Sequence, residues 1–164
     1  MKLARLAPMI VAVAATSACA QSPSTAAVVD DVQISEAEVT AVIQGCQRAA
    51  DVELARPNVV SNLVTAEIFR SVARDADIDI NQGQVEQLLA ESPETAPALA
   101  DPDCVPFVEV NGLALLLQQD MARDDLLAAI TNAPVDVNPR YGQWDMLNGQ
   151  LIGDGSLSAI DETA

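Results

Sequence analysis

The sequence contains no histidine, a single lysine (Lys2) and only four aromatic residues, Phe69, Phe107, Tyr141 and Trp144. Without histidine there is no Ser-His or Cys-His nucleophile system and no His-containing metal site. Basic residues are scarce as well: 8 stand against 24 acidic ones, a formal charge of −16 over 164 residues. No basic patch or stripe exists to bind nucleic acid or an anionic membrane surface. The apolar stretch from Met9 to Ala15 is too short to span a bilayer. What is present is a 50% hydrophobic composition, far too rich in Val, Leu and Ile for an acidic disordered chain. The length fits one domain and a tail. The composition points away from an enzyme.

The chain opens with an address. Lys2 and Arg5 precede the apolar stretch, which ends in small residues, the pattern of a secretory signal peptide over 1–18. Thr16-Ser17-Ala18-Cys19 resembles a bacterial lipobox, with Thr16 where Leu is usual. The resemblance implies lipid on Cys19 and a body held on the outer face of the cell membrane. Simple secretion is the alternative, because Ala18-Cys19-Ala20 also permits cleavage before Gln21. Residues 19–25 then form the anchor and a polar tether, Gln21-Ser22-Pro23-Ser24-Thr25. Setting Cys19 aside leaves Cys46 and Cys104, an even pair in an oxidising compartment. A disulfide between them would clamp a proline-rich loop onto the first helix; two buried free thiols are the alternative.

The body, 26–145, reads as mainly α, with about four helices and short strands at either end. Residues 28–34 are a β-type run turning at Asp30-Asp31. Ser35 and Glu38 form a Ser-x-x-Glu start for a helix over 36–50, with Val39, Val42, Ile43 and Cys46 on one face. Pro57 starts a second helix to about Ala76, striped by Val60, Val64, Ile68 and Val72. Asn81 caps a short third helix carrying Val85, Leu88 and Leu89. Pro93, Pro97, Pro102 and Pro106 make 91–106 a loop. Phe107, Val110, Ala114, Leu117 and Met121 then step 3-4-3-4, which predicts one long helix to about Thr131, with Gly112 lowering its propensity by ~1 kcal/mol. Val135-Asp136-Val137 is a second β-type fragment, and 146–164, small and acidic, is expected to be loosely ordered. The two β fragments are each too short to stand alone and are expected to pair, joining the chain ends.

Two stretches carry a resemblance: Val28–Ile34 leading into Ser35-Glu36-Ala37-Glu38-Val39, and Ala73–Asn81 followed by Gln84-Val85. Both are similar to the N-terminal chaperone module of the SurA-type and PrsA-type extracytoplasmic folding factors, with Asp31 where that family usually has Gly. The ending Val135-Asp136-Val137-Asn138-Pro139-Arg140-Tyr141-Gly142-x-Trp144-Asp145 resembles SurA N-terminal-like lipoproteins. The resemblance implies a helical domain closed by its terminal strands that binds unfolded or newly exported polypeptides. A parvulin prolyl isomerase domain, common in those families, has no room between 91 and 106.

Other candidate chemistry is sparse. Asp75, Asp77, Asp79 and Glu86 match positions of a calcium loop, but Ile80 stands where its glycine must be, so no metal and no cofactor is expected. Cys46 and Cys104 lack the CxxC spacing of redox catalysts. Arg140, Tyr141 and Trp144 gather three scarce residue types, and are candidates for contact with clients or a partner. The alternative is that Tyr141 and Trp144 cover the core while Arg140 meets a carboxylate. The function expected is a non-catalytic, chaperone-like lipoprotein; an envelope adaptor binding one folded partner is the rival.

Overall fold

Residues 22–153 are described by the computed structural model; the segment expected to be an export signal, Cys19 and the last eleven positions lie outside them. β1 (Thr25–Val29) and β2 (Val32–Ser35) form a hairpin about Asp30-Asp31, with Val29 opposite Val32. Asp30 takes the left-handed conformation the turn needs, at φ 50°. Aspartate tolerates that region because its short side chain bonds locally; here it accepts from Ser71 Oγ instead. β3 (Val135–Val137) joins the other edge of β1, antiparallel, in the order β2-β1-β3. The terminal strands therefore do pair, and Ala26, Ala27 and Val29 are wholly buried between them and the helices. Thr25 is already in β1 and buried, so the tether expected over 19–25 stops short of it.

Five α-helices follow, in place of the four expected: α1 (Glu36–Ala50), α2 (Arg56–Asp75), α3 (Gln82–Glu91), α4 (Val105–Asp120) and α5 (Arg123–Asn132). Local chemistry explains the ends of the first three. Ser35 Oγ accepts from Glu38 N–H at 3.1 Å, and Asp51 ends α1 at φ 52°. Pro57 sits in the first turn of α2, where its missing N–H costs no helix bond. At the other end Ile78 N–H reaches Ala73 C=O at 2.9 Å and Asp77 N–H reaches Arg74 C=O at 3.3 Å, a Schellman ending with Asp77 at φ 54°. Asn81 Oδ1 receives the N–H groups of Gly83 and Gln84. The residues tested against a calcium loop are thus a helix stop, a linker and a cap. Among the described residues no group of three or more acidic or cysteine side chains is arranged to hold a metal.

α2 is the axis of the fold. Val59, Val60, Leu63, Val64, Ile68 and Val72 are buried along it, with α1, α4, α5 and the sheet packed around. Residues 92–104 run as turns and a 3-10 helix (Ala96–Ala100), in keeping with the proline content.

The single helix expected from 106 to 131 is two helices. Met121 and Ala122 are extended (φ −119°, ψ 141° and φ −64°, ψ 144°) and part α4 from α5. The buried face of α4 is Val108, Glu109, Gly112, Leu113 and Leu117, so of the expected stripe only Leu117 lies fully inside. Apolar residues occur on most of its circumference, so spacing alone could not pick the inward face. The break returns Leu126 to the core, and Asp124 and Asp125 suit the positive end of a new helix. Gly112 is required by packing: a Cβ there would lie 2.8 Å from Val85 Cγ1 of α3. Of the stretch expected to be loosely ordered, residues 146–153 depart from that expectation, because β4 (Gln143–Asp145) pairs with β5 (Gln150–Ile152) in a second hairpin. No helix among the described residues is long and apolar enough to cross a membrane.

Candidate functional site

Three constructions in the body bring polar or reactive side chains together, two of them against apolar cavities. The first joins the chain ends. Tyr141, 5% exposed, donates its hydroxyl to both carboxylate oxygens of Glu36 at 2.8 Å. Arg140 Nη1 stands 3.6 Å from Glu36 Oε1, and its Nη2 donates to Pro23 C=O at 2.9 Å. Arg56 completes the cluster from α2, 3.4 Å from Glu36 Oε2 and 2.9 Å from Thr40 Oγ1. Buried Asn138 donates to Thr25 C=O at 2.9 Å and pins the same two segments together. Burial, then the negative Glu36 beside it, pushes the Tyr141 hydroxyl above its usual range. Trp144 packs against the core from β4, opposite Leu151, and its indole N–H is buried without a partner among the described residues. Of the three residues considered for client contact, Arg140 and Tyr141 are engaged by Glu36, and Trp144 stands apart. Tyr141 is too buried to present a surface.

The second construction is the bridge between α1 and the proline-rich loop. Cys46 and Cys104 are joined by a disulfide, with Cα atoms 4.5 Å apart. Beside it Arg48 bonds Asp101 at 2.6 Å and Asp103 at 2.9 Å. The Arg48 guanidinium holds the Asp101 carboxyl below the usual carboxylate range. Gly45 lets the loop approach: a Cβ there would meet Asp103 Cβ at 2.6 Å and Cys104 N at 2.8 Å. An apolar pocket of about 260 Å³ lies against the bridge, lined by Val52, Leu54, Pro97 and Phe107 among others.

The third lies between α2, α4 and α5. Phe69, Ala114, Met121, Leu126, Leu127 and Ile130 line an open groove of about 400 Å³, with Gln118 and Arg123 its polar members. Leu127 is 50% exposed at its edge. Five of the arginines among the described residues are in ion pairs, and Arg123 is the exception. Between α2 and α4, Arg70 bonds Glu67 of its own helix at 3.2 Å and Glu109 of α4, while Arg74 bonds Glu67 at 3.0 Å. These two carboxylates are buried, yet each is matched by a guanidinium, which is the condition for placing charge inside a fold. The Arg70–Glu109 pair joins α2 to α4, and Glu67 holds Arg70 and Arg74 along α2.

The groove residues and the buried acids were missed by reading the sequence. A signal did exist for the groove: Leu113-Ala114-Leu115-Leu116-Leu117 and Leu126-Leu127 supply more apolar surface than one helix face can bury. Glu67, between Ala66 and Ile68, and Glu109, between Val108 and Val110, gave a fainter one, since their role depends on two separate helices. Cys19, the lipidation candidate, lies outside the described residues. No protein-family model, curated protein or solved structure matches the chain.

Proposed function

We propose that the protein is a chaperone-like lipoprotein on the outer face of the cell membrane that holds unfolded or newly exported polypeptides without catalysis. The observation that carries this is the apolar groove beside α5, open to solvent and edged by half-exposed Leu127. An apolar cleft on a strongly acidic body fits holding: apolar side chains of a client are shielded, and the surface charge keeps the loaded protein dispersed. The lipobox at Cys19 and the resemblance to SurA-type modules are consistent with such a place and task. The test is aggregation of a chemically denatured secreted protein in the presence of the full chain. Suppression near stoichiometric ratios is expected, and none at large excess refutes holding.

A specific feature favours a second reading, an adaptor for one folded envelope partner. The β4–β5 hairpin carries Leu147, 85% exposed, with Met146 and Ile152 also on the surface. Pull-down from membrane extracts separates the two: Leu147→Asp abolishes capture of a single stoichiometric partner if the adaptor is right. The same change leaves aggregation suppression intact if clients use the groove.

A further inference from the structure

α5 is attached differently from every other helix. Leu126 is the one side chain of α5 that is fully buried, with Ala129 and Ile130 in partial contact with the core. Its N-terminus has no side-chain cap, and extended residues flank it at Ala122 and Ala133. The side-chain hydrogen bonds of Thr131 and Asn132 close on its own backbone, and no ion pair joins it to another element among the described residues. Ten residues is below the length at which a helix persists by itself. Apolar contact alone holds it down.

The chain on either side is anchored. Met121 N–H closes onto Leu117 C=O at 2.9 Å, and β3 begins three residues after α5 within the sheet. Cavities lie along both flanks of α5, the groove of about 400 Å³ and another of about 300 Å³ lined by Asp30, Val72, Asp75, Met121 and Ala129 among others. Met121 lines both, so they adjoin beneath the start of α5. Lifting α5 would merge them into one trough with Phe69, Val72 and Met121 along its floor.

We propose that α5 is a displaceable strap and that the trough beneath it takes an amphipathic client helix with a basic outer face. The inference rests on the client-holding function above and names what the site accepts. α5 itself shows the shape of the occupant, an apolar strip at Leu126, Ala129 and Ile130. Charge shows its chemistry. Asp30 and Asp75 line the trough, and Asp120 ends α4 beside it. α5 brings Arg123 with Asp124 and Asp125, a net negative charge, to that acidic surround, whereas a lysine-bearing helix meets it with opposite charge throughout.

The test uses the full chain, hydrogen exchange, and two synthetic helical peptides of the same apolar spacing, one carrying lysine and the other glutamate on the outer face. Amides of 123–132 are expected to exchange about tenfold or more faster than those of α2 and α4. Ala128 is exposed, so Ala128→Gly loosens α5 without touching the trough. It is expected to speed α5 exchange about two- to fivefold and to tighten the lysine peptide by the same factor, because strap opening is part of binding. The glutamate peptide is expected not to bind. The proposal is overturned if α5 exchanges only together with α2 and α4. It is equally overturned if the lysine peptide fails to bind, or binds with an affinity that Ala128→Gly leaves unchanged. Should the strap and peptide results hold while denatured clients still aggregate, the trough stands and the general holding function falls.

Discussion

α1 and α5 both pack on α2, and they are held there by different means. α1 is capped by Ser35, closed by Asp51, bonded through Cys46 to Cys104, and tied at its first residue to Tyr141, Arg56 and Arg140. α5 has none of these and rests on Leu126 and a few partly buried neighbours. The restraints on α1 thus collect at its start, where Tyr141 and Arg140 meet Glu36, and at the disulfide to the proline-rich loop, whereas the groove of about 400 Å³ opens beside α5, which has neither. A frame that is held independently of α5 lets α5 move without unfolding the rest.

The largest expected effect removes the restraint on α1. Replacing Cys46 and Cys104 together by alanine, a crosslink across a sequence separation of 58, should cost about 4 kcal/mol on the chain-entropy model, read as a lower urea midpoint. A cost below about 1 kcal/mol would remove the disulfide from the comparison, leaving the ion pairs and caps to explain it. Next in size is a matched pair of truncations. Leu117→Ala in α4 should lower global stability by about 3 kcal/mol, whereas Leu126→Ala should lower it by about 1 kcal/mol and chiefly accelerate exchange of α5. Equal global losses would mean that α5 belongs to the same cooperative unit.

Tyr141→Phe leaves the ring in place and removes the bond to a charged Glu36, so about 1.5 kcal/mol should be lost in thermal melts. The pH dependence is the smallest effect and has a different sign at each restraint. The Asp101 carboxyl is held below its usual 3.8, so its contribution is complete above that pH and fades as pH falls through the lowered value. The Tyr141 hydroxyl lies above its usual 10.0, so its contribution is complete below that pH and fades as pH rises through the raised value. Replacing Asp101 with Asn should shrink the acid limb, to which Asp145, lowered by its bond from Asn148, also contributes, and leave the alkaline one; Tyr141→Phe should do the reverse.

Much of the scaffold was legible because it is specified locally. The turn at Asp30-Asp31, the Ser35 cap, Pro57 in a first turn and the Asn81 cap each solve a backbone problem within a few residues. The break at Met121-Ala122 was not marked by the 3-4-3-4 spacing, which runs unbroken up to Met121 and lapses only at Asp124 and Asp125. Its trace was the acidic pair Asp124-Asp125, a first-turn signal outweighed by the apolar count. The closing motif was noticed because Arg, Tyr and Trp are scarce, but scarcity could not tell a contact surface from a buried clasp. That depended on Glu36, 105 residues from Tyr141 in sequence.

By itself the sequence determined the class of the fold, the hairpin and the starts of the first three helices, because each follows from local backbone demands. Tertiary structure alone decided that Tyr141 and Arg140 meet Glu36, that Gly112 admits Val85, and that α5 lies between two cavities. These depend on distances between segments far apart in the chain, where neither periodicity nor propensity carries information.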